Sequence, residues 1–183
     1  MKALKGAFIE AMSLFASTVC VVTTDGPSGK AGLTATSVTS VSADTPAPTL
    51  LVCVNGAGPS NAAIKKNNSF CVNVLHTAQM KLADTFAGRH SSHEASKFRS
   101  ADWIELQTGC PALIDAVAVF DCQVVHVQTV GWHDVFFAEV VEAYSRTTME
   151  TLIYSRRNYS GVMPFDHQTF FGAHSLPNVK NAV

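Results

Sequence analysis

No segment of this chain approaches the roughly 20 uninterrupted apolar residues that a membrane-spanning helix requires, so a membrane span is not expected. Charge is scarce as well. Charged residues make up 15% of the composition, and 13 Lys and Arg against 14 Asp and Glu leave a formal net charge of −1. Without a stripe of Lys and Arg there is nothing to draw the chain to nucleic acid or an anionic membrane. The five cysteines, Cys20, Cys53, Cys71, Cys110 and Cys122, are odd in number, lack C-x-x-C spacing and lie mostly inside apolar runs. They read as buried thiols of a reducing compartment, not as a disulfide framework or zinc site. A P-loop, a G-x-S-x-G elbow and a paired carboxylate set are missing too, so kinase and hydrolase readings have no residues to rest on. Near the N-terminus Glu10 interrupts the apolar stretch before a signal-like core develops. The expectation is a soluble cytoplasmic protein, in which the N-x-S sequons at Asn67 and Asn158 are accidental.

What is present is a chain of 183 residues with 47% apolar content, enough for one domain with its own core. So little surface charge implies that a partner subunit covers some apolar surface. Phe8, Ala11, Met12 and Phe15 recur at helical spacing, and TVCVVTT (18–24) follows as a β-branched strand. DGPSGKAG (25–32) is a turn, because its Gly, Pro, Asp and Ser supply preset or positive φ. Residues 33–42 and 49–55 read as strands, 60–67 as a short helix, 70–76 as a strand, and 78–88 as a helix stopped by Gly88. A polar, irregular connector is expected over 89–109. Two long strands, 116–130 and 133–145, meet at a tight Gly131 turn, and TLIYS (151–155) is a last strand before a loose tail. Six or seven strands with three helices, the later strands in hairpins, point to an antiparallel barrel with added helices and against a doubly wound sheet.

GAGPSN (56–61) sits where a dinucleotide fingerprint would sit, yet Asn61 stands in place of the third Gly, and Asp84, the nearest acidic candidate for a ribose, falls inside a helix. Read physically, it is a strand-to-helix turn whose backbone N–H groups, Ser60 hydroxyl and Asn61 amide can cradle a phosphate. TATSVTSVS (34–42) carries six hydroxyls in nine residues. Either some meet a polar ligand, since a buried hydroxyl without a partner is costly, or the strand is an edge with its Ser and Thr in water. His90 and His93 with Glu94 have metal-like proximity but no third ligand nearby, so solvated loop polarity is the plainer account. Arg156 and Arg157 are either a pyrophosphate fork or a charged turn. Cys53 and Cys71 lack an adjacent His or Lys to activate them and read as packing.

These segments also occur in a known order. GLTATSVTSVSADTP, the LLVCVN…PSNAAI…FCVNVL run, LADTFAG, TGCPALIDAVAVFDCQVV and GWHDVFFAEV match the order and spacing of the short-chain NAD(P)H:flavin reductases. Over about residues 7–162 the chain resembles that family, and within it the reductase partners of two-component flavin monooxygenases, including those of aromatic hydroxylation and pyrimidine degradation. The resemblance implies a mainly β fold, an antiparallel Greek-key split β-barrel of the FMN-binding type, as a single domain over 1–183 with a C-terminal tail from 163. It also implies a homodimer with FMN or FAD at or near the subunit interface and NADH or NADPH as hydride donor.

Position by position, it places Thr34, Ala35, Thr36 and Ser37 against the flavin ring and ribityl chain, Ser60 and Asn61 near the phosphate, and Phe86, Ala87 and Gly88 against the cofactor. His133 becomes the histidine facing the nicotinamide, and Lys97 and Phe98 match a family element in the connector. Gly58 stands where many members carry Ser, Ala138 where Gly is frequent, and Trp132 where Asp or Thr is common. The electron acceptor implied is a separate monooxygenase. Same-fold relatives that keep their flavin and reduce another acceptor, such as a cobalt corrinoid, or that bind flavin without catalysis, are the alternatives.

Overall fold

The computed structural model describes residues 2–44, 47–89, 94–146 and 149–163. Helix α1 (Lys2–Ser13) leads into β1 (Ser17–Thr18), β2 (Cys20–Thr24), β3 (Ala31–Ala35), β4 (Val38–Ser42) and β5 (Thr49–Asn55). Next come α2 (Pro59–Asn67), β6 (Ser69–Val74), a 3-10 turn (Thr77–Gln79) running into α3 (Met80–Phe86), and α4 (Glu94–Lys97). Strands β7 (Trp103–Glu105) and β8 (Pro111–Leu113) precede the long pair β9 (Ala118–Val130) and β10 (His133–Ser145), and β11 (Ile153–Ser155) with β12 (Asn158–Ser160) ends the described chain.

Seven strands form one sheet in the order β3-β2-β6-β9-β10-β5-β4, with every recorded pairing antiparallel. Its two edge strands, β3 and β4, are consecutive in sequence and separated by Thr36 and Ser37 alone. At 3.8 Å per Cα step, Ala35 and Val38 are at most about 11 Å apart, so the sheet has to curl until its edges meet. The Cys53 amide on β5 donates to the Ser37 carbonyl at 3.0 Å, carrying the β4–β5 pairing up to this seam. The result is the antiparallel split barrel that the sequence implies.

Alternation along the strands then sorts the apolar residues. Cys20, Val22, Val52, Phe70, Val72, Cys122, Phe136 and Ala138 fill the barrel, whereas Val19, Val21, Cys71, Val119 and Leu113 pack outside it beneath α3 and the smaller sheets. Buried polar groups in the outer layer are satisfied. Asn73 Nδ2 donates to Val21 O at 3.0 Å and its Oδ1 accepts from Leu113 N at 2.6 Å, while the fully buried Asp121 accepts from Thr108 N at 2.7 Å. These bonds fasten the β7–β8 layer to the sheet.

Three expectations need correction. Residues 33–42 are not one strand but two on opposite edges of the sheet, because the chain has to cross the seam at Thr36–Ser37. The connector 89–109 carries structure: α4, a 3-10 turn at Phe98–Ser100 and β7, drawn into order by Phe98 and Trp103 packing on Phe86 at 5.2 and 5.7 Å between ring centroids. TLIYS is the first arm of a hairpin, not a terminal strand. The three expected helices are present as α1, α2 and α3, with α4 a single turn beside them. The long hairpin, by contrast, falls where expected, with a two-residue loop whose first residue, Gly131, has φ +57°, as a primed hairpin turn requires.

Candidate active site

Strand β5 runs outward to Asn55, turns over residues 56–58 and enters α2, whose first position is Pro59, preorganised for a helix start. This turn is a ridge between two depressions. On one side lies a slot of about 250 Å³ whose walls include Ser60 and Asn61 from the α2 start and Phe86, Ala87 and Gly88 from the α3 end. Gly88 ends that helix at φ +72°, where a side chain is disfavoured. The sequence therefore brings five of its candidate residues together from two distant segments.

Gly32, Leu33 and Lys97 complete the slot and were not singled out as cofactor ligands. Gly32 leaves no room for a side chain, as a Cβ there would meet Cε1 of Phe86 at 2.6 Å. Lys97 is 7% exposed, with its ammonium 3.4 Å from Gly32 O and 5.9 Å from the centre of the Phe86 ring. The GLTATS motif begins at Gly32, which was the available signal for it.

The 34–37 run behaves differently and does not line the slot. Thr34 Oγ1 donates to Ala83 O at 2.6 Å, anchoring α3 to β3; Ala35 is buried in the barrel; Thr36 and Ser37 are exposed at the seam. Thr39 and Ser40 on the edge strand β4 are exposed as well, and both border a groove of about 390 Å³ separate from the slot. Ser60 is 5% exposed and donates to Gly32 O at 3.0 Å, and Asn61, 2% exposed, donates to Val54 O at 3.4 Å. Both side chains thus hold the slot's frame, and with Pro59 lacking an N–H and Asn61 N donating to Gly58 O at 3.1 Å, the helix start offers an anion chiefly the positive end of its dipole. No acidic residue lies in the first turn of α2 to oppose one. A narrow apolar slot with Gly32, Gly58, Ala87 and Gly88 in its walls, and a buried ammonium beside it, fits a planar ring carrying an anionic end.

Across the ridge, Gly56, Ala57, Thr129, Trp132, His133 and Asp134 border a second depression of about 230 Å³. His133 pairs with Asn55 in the β10–β5 ladder, and Asn55 itself borders the slot, so the histidine is one residue pair away from the first depression. The Gly56 amide donates to the Trp132 carbonyl at 2.9 Å, and the Trp132 ring is 86% exposed. Asp134 is 3% exposed, with Lys65 Nζ at 2.7 Å and Thr129 Oγ1 at 2.6 Å. Hydrogen bonds from Lys65, then Thr129, hold its carboxyl down at about 2. Sequence reasoning passed over Asp134, although its place beside His133 in GWHD was a signal.

Other candidates settle by geometry. Cys71 is buried in the outer core and burial pushes its thiol well above the ordinary range, in keeping with packing, and Cys53 lies half-buried within β5. Arg157 pairs with Glu10 at 3.0 Å at a hairpin turn, in keeping with the charged-turn reading. Burial, then a 2.8 Å bond to Asp84, raises the Tyr159 phenol to about 12. The His90–His93 pair lies outside the described residues.

The model of the flavin reductase like domain matches residues 12–163. The chain belongs to this family. The FMN reductase (NADH) RutF of Stutzerimonas stutzeri (strain A1501) is 42% identical over 153 residues, which are 84% of this chain and 86% of that protein. Among solved structures, the NADH:FAD oxidoreductase SgcE6 of Streptomyces globisporus C-1027, in complex with NAD and FAD fragments, superposes with a TM-score of 0.78 at 28% identity, covering 87% of this chain and 93% of that one. The styrene monooxygenase flavin reductase SMOB of Pseudomonas putida S12 gives 0.74 at 26% identity over 86% and 99% of the two chains.

Proposed function

We propose that this chain is an NADH-dependent flavin reductase that takes FMN or FAD and supplies reduced flavin to a separate monooxygenase. The observation that carries this reading is the pair of depressions on either side of one short ridge, the slot suited to a planar, anionic ligand and its neighbour bordered by His133. When bound, the flavin supplies the two-electron acceptor for the nicotinamide hydride. The residues supply binding and orientation. Phe86 and Leu33 offer apolar wall to the ring, the α2 start and Lys97 favour the anionic end, and His133 orients the nicotinamide. Thr34 steadies the α3 wall of the slot through its bond to Ala83 O, and Ala35, Thr36 and Ser37 lie at the seam outside its walls. Among the described residues the walls of the slot hold no acid–base pair, which agrees with a cofactor that carries the chemistry.

The experiment is anaerobic mixing of the flavin-loaded protein with NADH, followed at the oxidised-flavin absorbance. Bleaching within turnover time supports the reductase; a yellow protein that NADH leaves unbleached overturns it. In His133→Ala, NADH turnover falls more than flavin affinity, and unchanged kinetics remove His133 from the site. Stopped-flow reduction with and without excess free flavin distinguishes a diffusing flavin from a retained one that serves another acceptor.

The same reading includes a homodimer. Leu4, Phe8, Leu14 and Phe15 on and after α1 are 54–76% exposed, and an apolar groove of about 390 Å³ lies open at the barrel between Val38, Leu50, Phe120 and Val140. Surfaces of this kind are usually covered. A cytoplasmic location is supported by five cysteines without a disulfide, and no described helix is long and apolar enough to cross a membrane.

A further inference from the structure

We infer that Asp134 is a positioning residue that sets the hydride-donor depression against the flavin slot, by tying the β9–β10 hairpin tip to α2. The inference rests on the reductase reading and adds to it a residue outside the ligand walls of the slot.

The two depressions are built from separate segments. The slot depends on where α2 begins, and the second depression on where the hairpin tip lies. Backbone pairing of His133 with Asn55 and Asp134 with Val54 aligns the tip with β5, but a ladder fixes neither the tilt of α2 nor the height of the ridge. The Asp134 side chain does. Its Oδ1 accepts from Thr129 across the hairpin at 2.6 Å, and its Oδ2 meets Lys65 at the far end of α2 at 2.7 Å. Asn61, in the first turn of α2 and on the wall of the slot, donates instead to Val54 O at 3.4 Å, the residue that pairs with Asp134 in the β5–β10 ladder. One carboxylate thus joins both hairpin arms to the last turns of α2, while Asn61 ties its first turn to β5.

The ridge is gripped at the same point. A Cβ on Gly56 would lie 3.4 Å from Trp132 O and 3.6 Å from Asp134 Oδ2, so the turn passes directly over this knot. The carboxylate is 3% exposed, and its ionised form is the one these donors select. Displacements of about 1 Å between reacting groups can cost on the order of a hundredfold in rate, which is why such a knot matters to hydride transfer.

The test compares Lys65→Met, Lys65→Arg and Asp134→Asn with the parent protein, each loaded with FMN. Flavin affinity is titrated by fluorescence, and flavin bleaching by NADH and by C4-deuterated NADH is followed anaerobically in the stopped flow. Lys65→Met and Asp134→Asn are expected to slow the isotope-sensitive bleaching about tenfold while flavin affinity changes less than about twofold. Lys65→Arg keeps the ion pair and recovers most of the rate. Lys65 is half exposed at the helix end, so its variants remain informative if Asp134→Asn does not fold. Bleaching by Lys65→Met within about twofold of the parent overturns the inference, as does an equal loss of flavin affinity and rate, which would mark a general structural role. If the parent itself is not bleached by NADH, the reductase reading fails first.

Discussion

Gly32 lies flat against the Phe86 ring: a Cβ built on it would stand 2.6 Å from Cε1, 2.9 Å from Cδ1 and 3.2 Å from the Val22 carbonyl oxygen. The ring cannot simply swing aside, since it is 2% exposed and sits edge-on to Phe98 with centroids 5.2 Å apart. Gly32→Ala is therefore expected to destabilise the fold by about 1–3 kcal/mol, the usual cost of overpacking. Both residues wall the slot, so flavin affinity falls with stability. Urea unfolding and a fluorescence titration check the two effects, and a variant as stable as the parent refutes the packing argument.

The β11–β12 turn holds Arg156 at φ +51° and Arg157 at φ +61°, a primed hairpin turn made without Gly or Asn. Left-handed backbone costs a side-chain-bearing residue roughly 1–2 kcal/mol, more than the exposed Arg157–Glu10 pair returns. The double substitution Arg156→Asn/Arg157→Gly is expected to raise stability by about 1 kcal/mol or more, read as a higher urea midpoint. If the arginines instead grip a pyrophosphate, the same variant shows a raised KM for NADH.

How far the sequence foretold this molecule depends on the range of each signal. The β9–β10 hairpin was legible because alternation and a Gly131 turn are local, and Gly88 marked the α3 end for the same reason. The split of 33–42 was not, since β-branched and hydroxyl residues continue through Thr36 and Ser37 while the chain changes edges, and barrel closure is a property of seven strands. Ser60 and Asn61 were read from the strand-to-helix turn, whereas Phe86, Ala87 and Gly88 entered as slot residues only through resemblance of whole segments. Ser60 and Asn61 were legible as positions but not as roles: their side chains turn inward to carbonyls of β3 and β5. Asp134 became visible only when α2 and the hairpin met in space.

Acid should expose the Asp134 knot thermodynamically. Its folded-state value of about 2 lies below the ordinary 3.8, so ionisation favours the fold. That contribution is whole above the ordinary value and is lost as pH falls through about 2. The gap in melting temperature between the parent and Asp134→Asn is expected to be constant near neutrality and to close on acidification over this window. A gap that widens in acid contradicts the assignment.

The apolar face of α1 sets the last prediction. Phe8 is 63% and Phe15 62% exposed, and α1 meets the rest of the protein at the β11–β12 turn, where Arg156 N donates to Ser13 O and Arg157 reaches Glu10 at 3.0 Å. A helix so lightly held gains order from burying those side chains, each worth about 1.5–3 kcal/mol when fully covered. A second copy of the chain is the proposed cover. In Phe8→Asp/Phe15→Asp the burial becomes unfavourable while the barrel core, which contains neither residue, is untouched. Sedimentation is expected to show a dimer for the parent and a folded monomer, or a dimer weakened by more than about a hundredfold, for the double variant. A monomeric parent would remove the homodimer, and an undiminished dimer would move the interface away from α1 toward the groove between Val38 and Phe120.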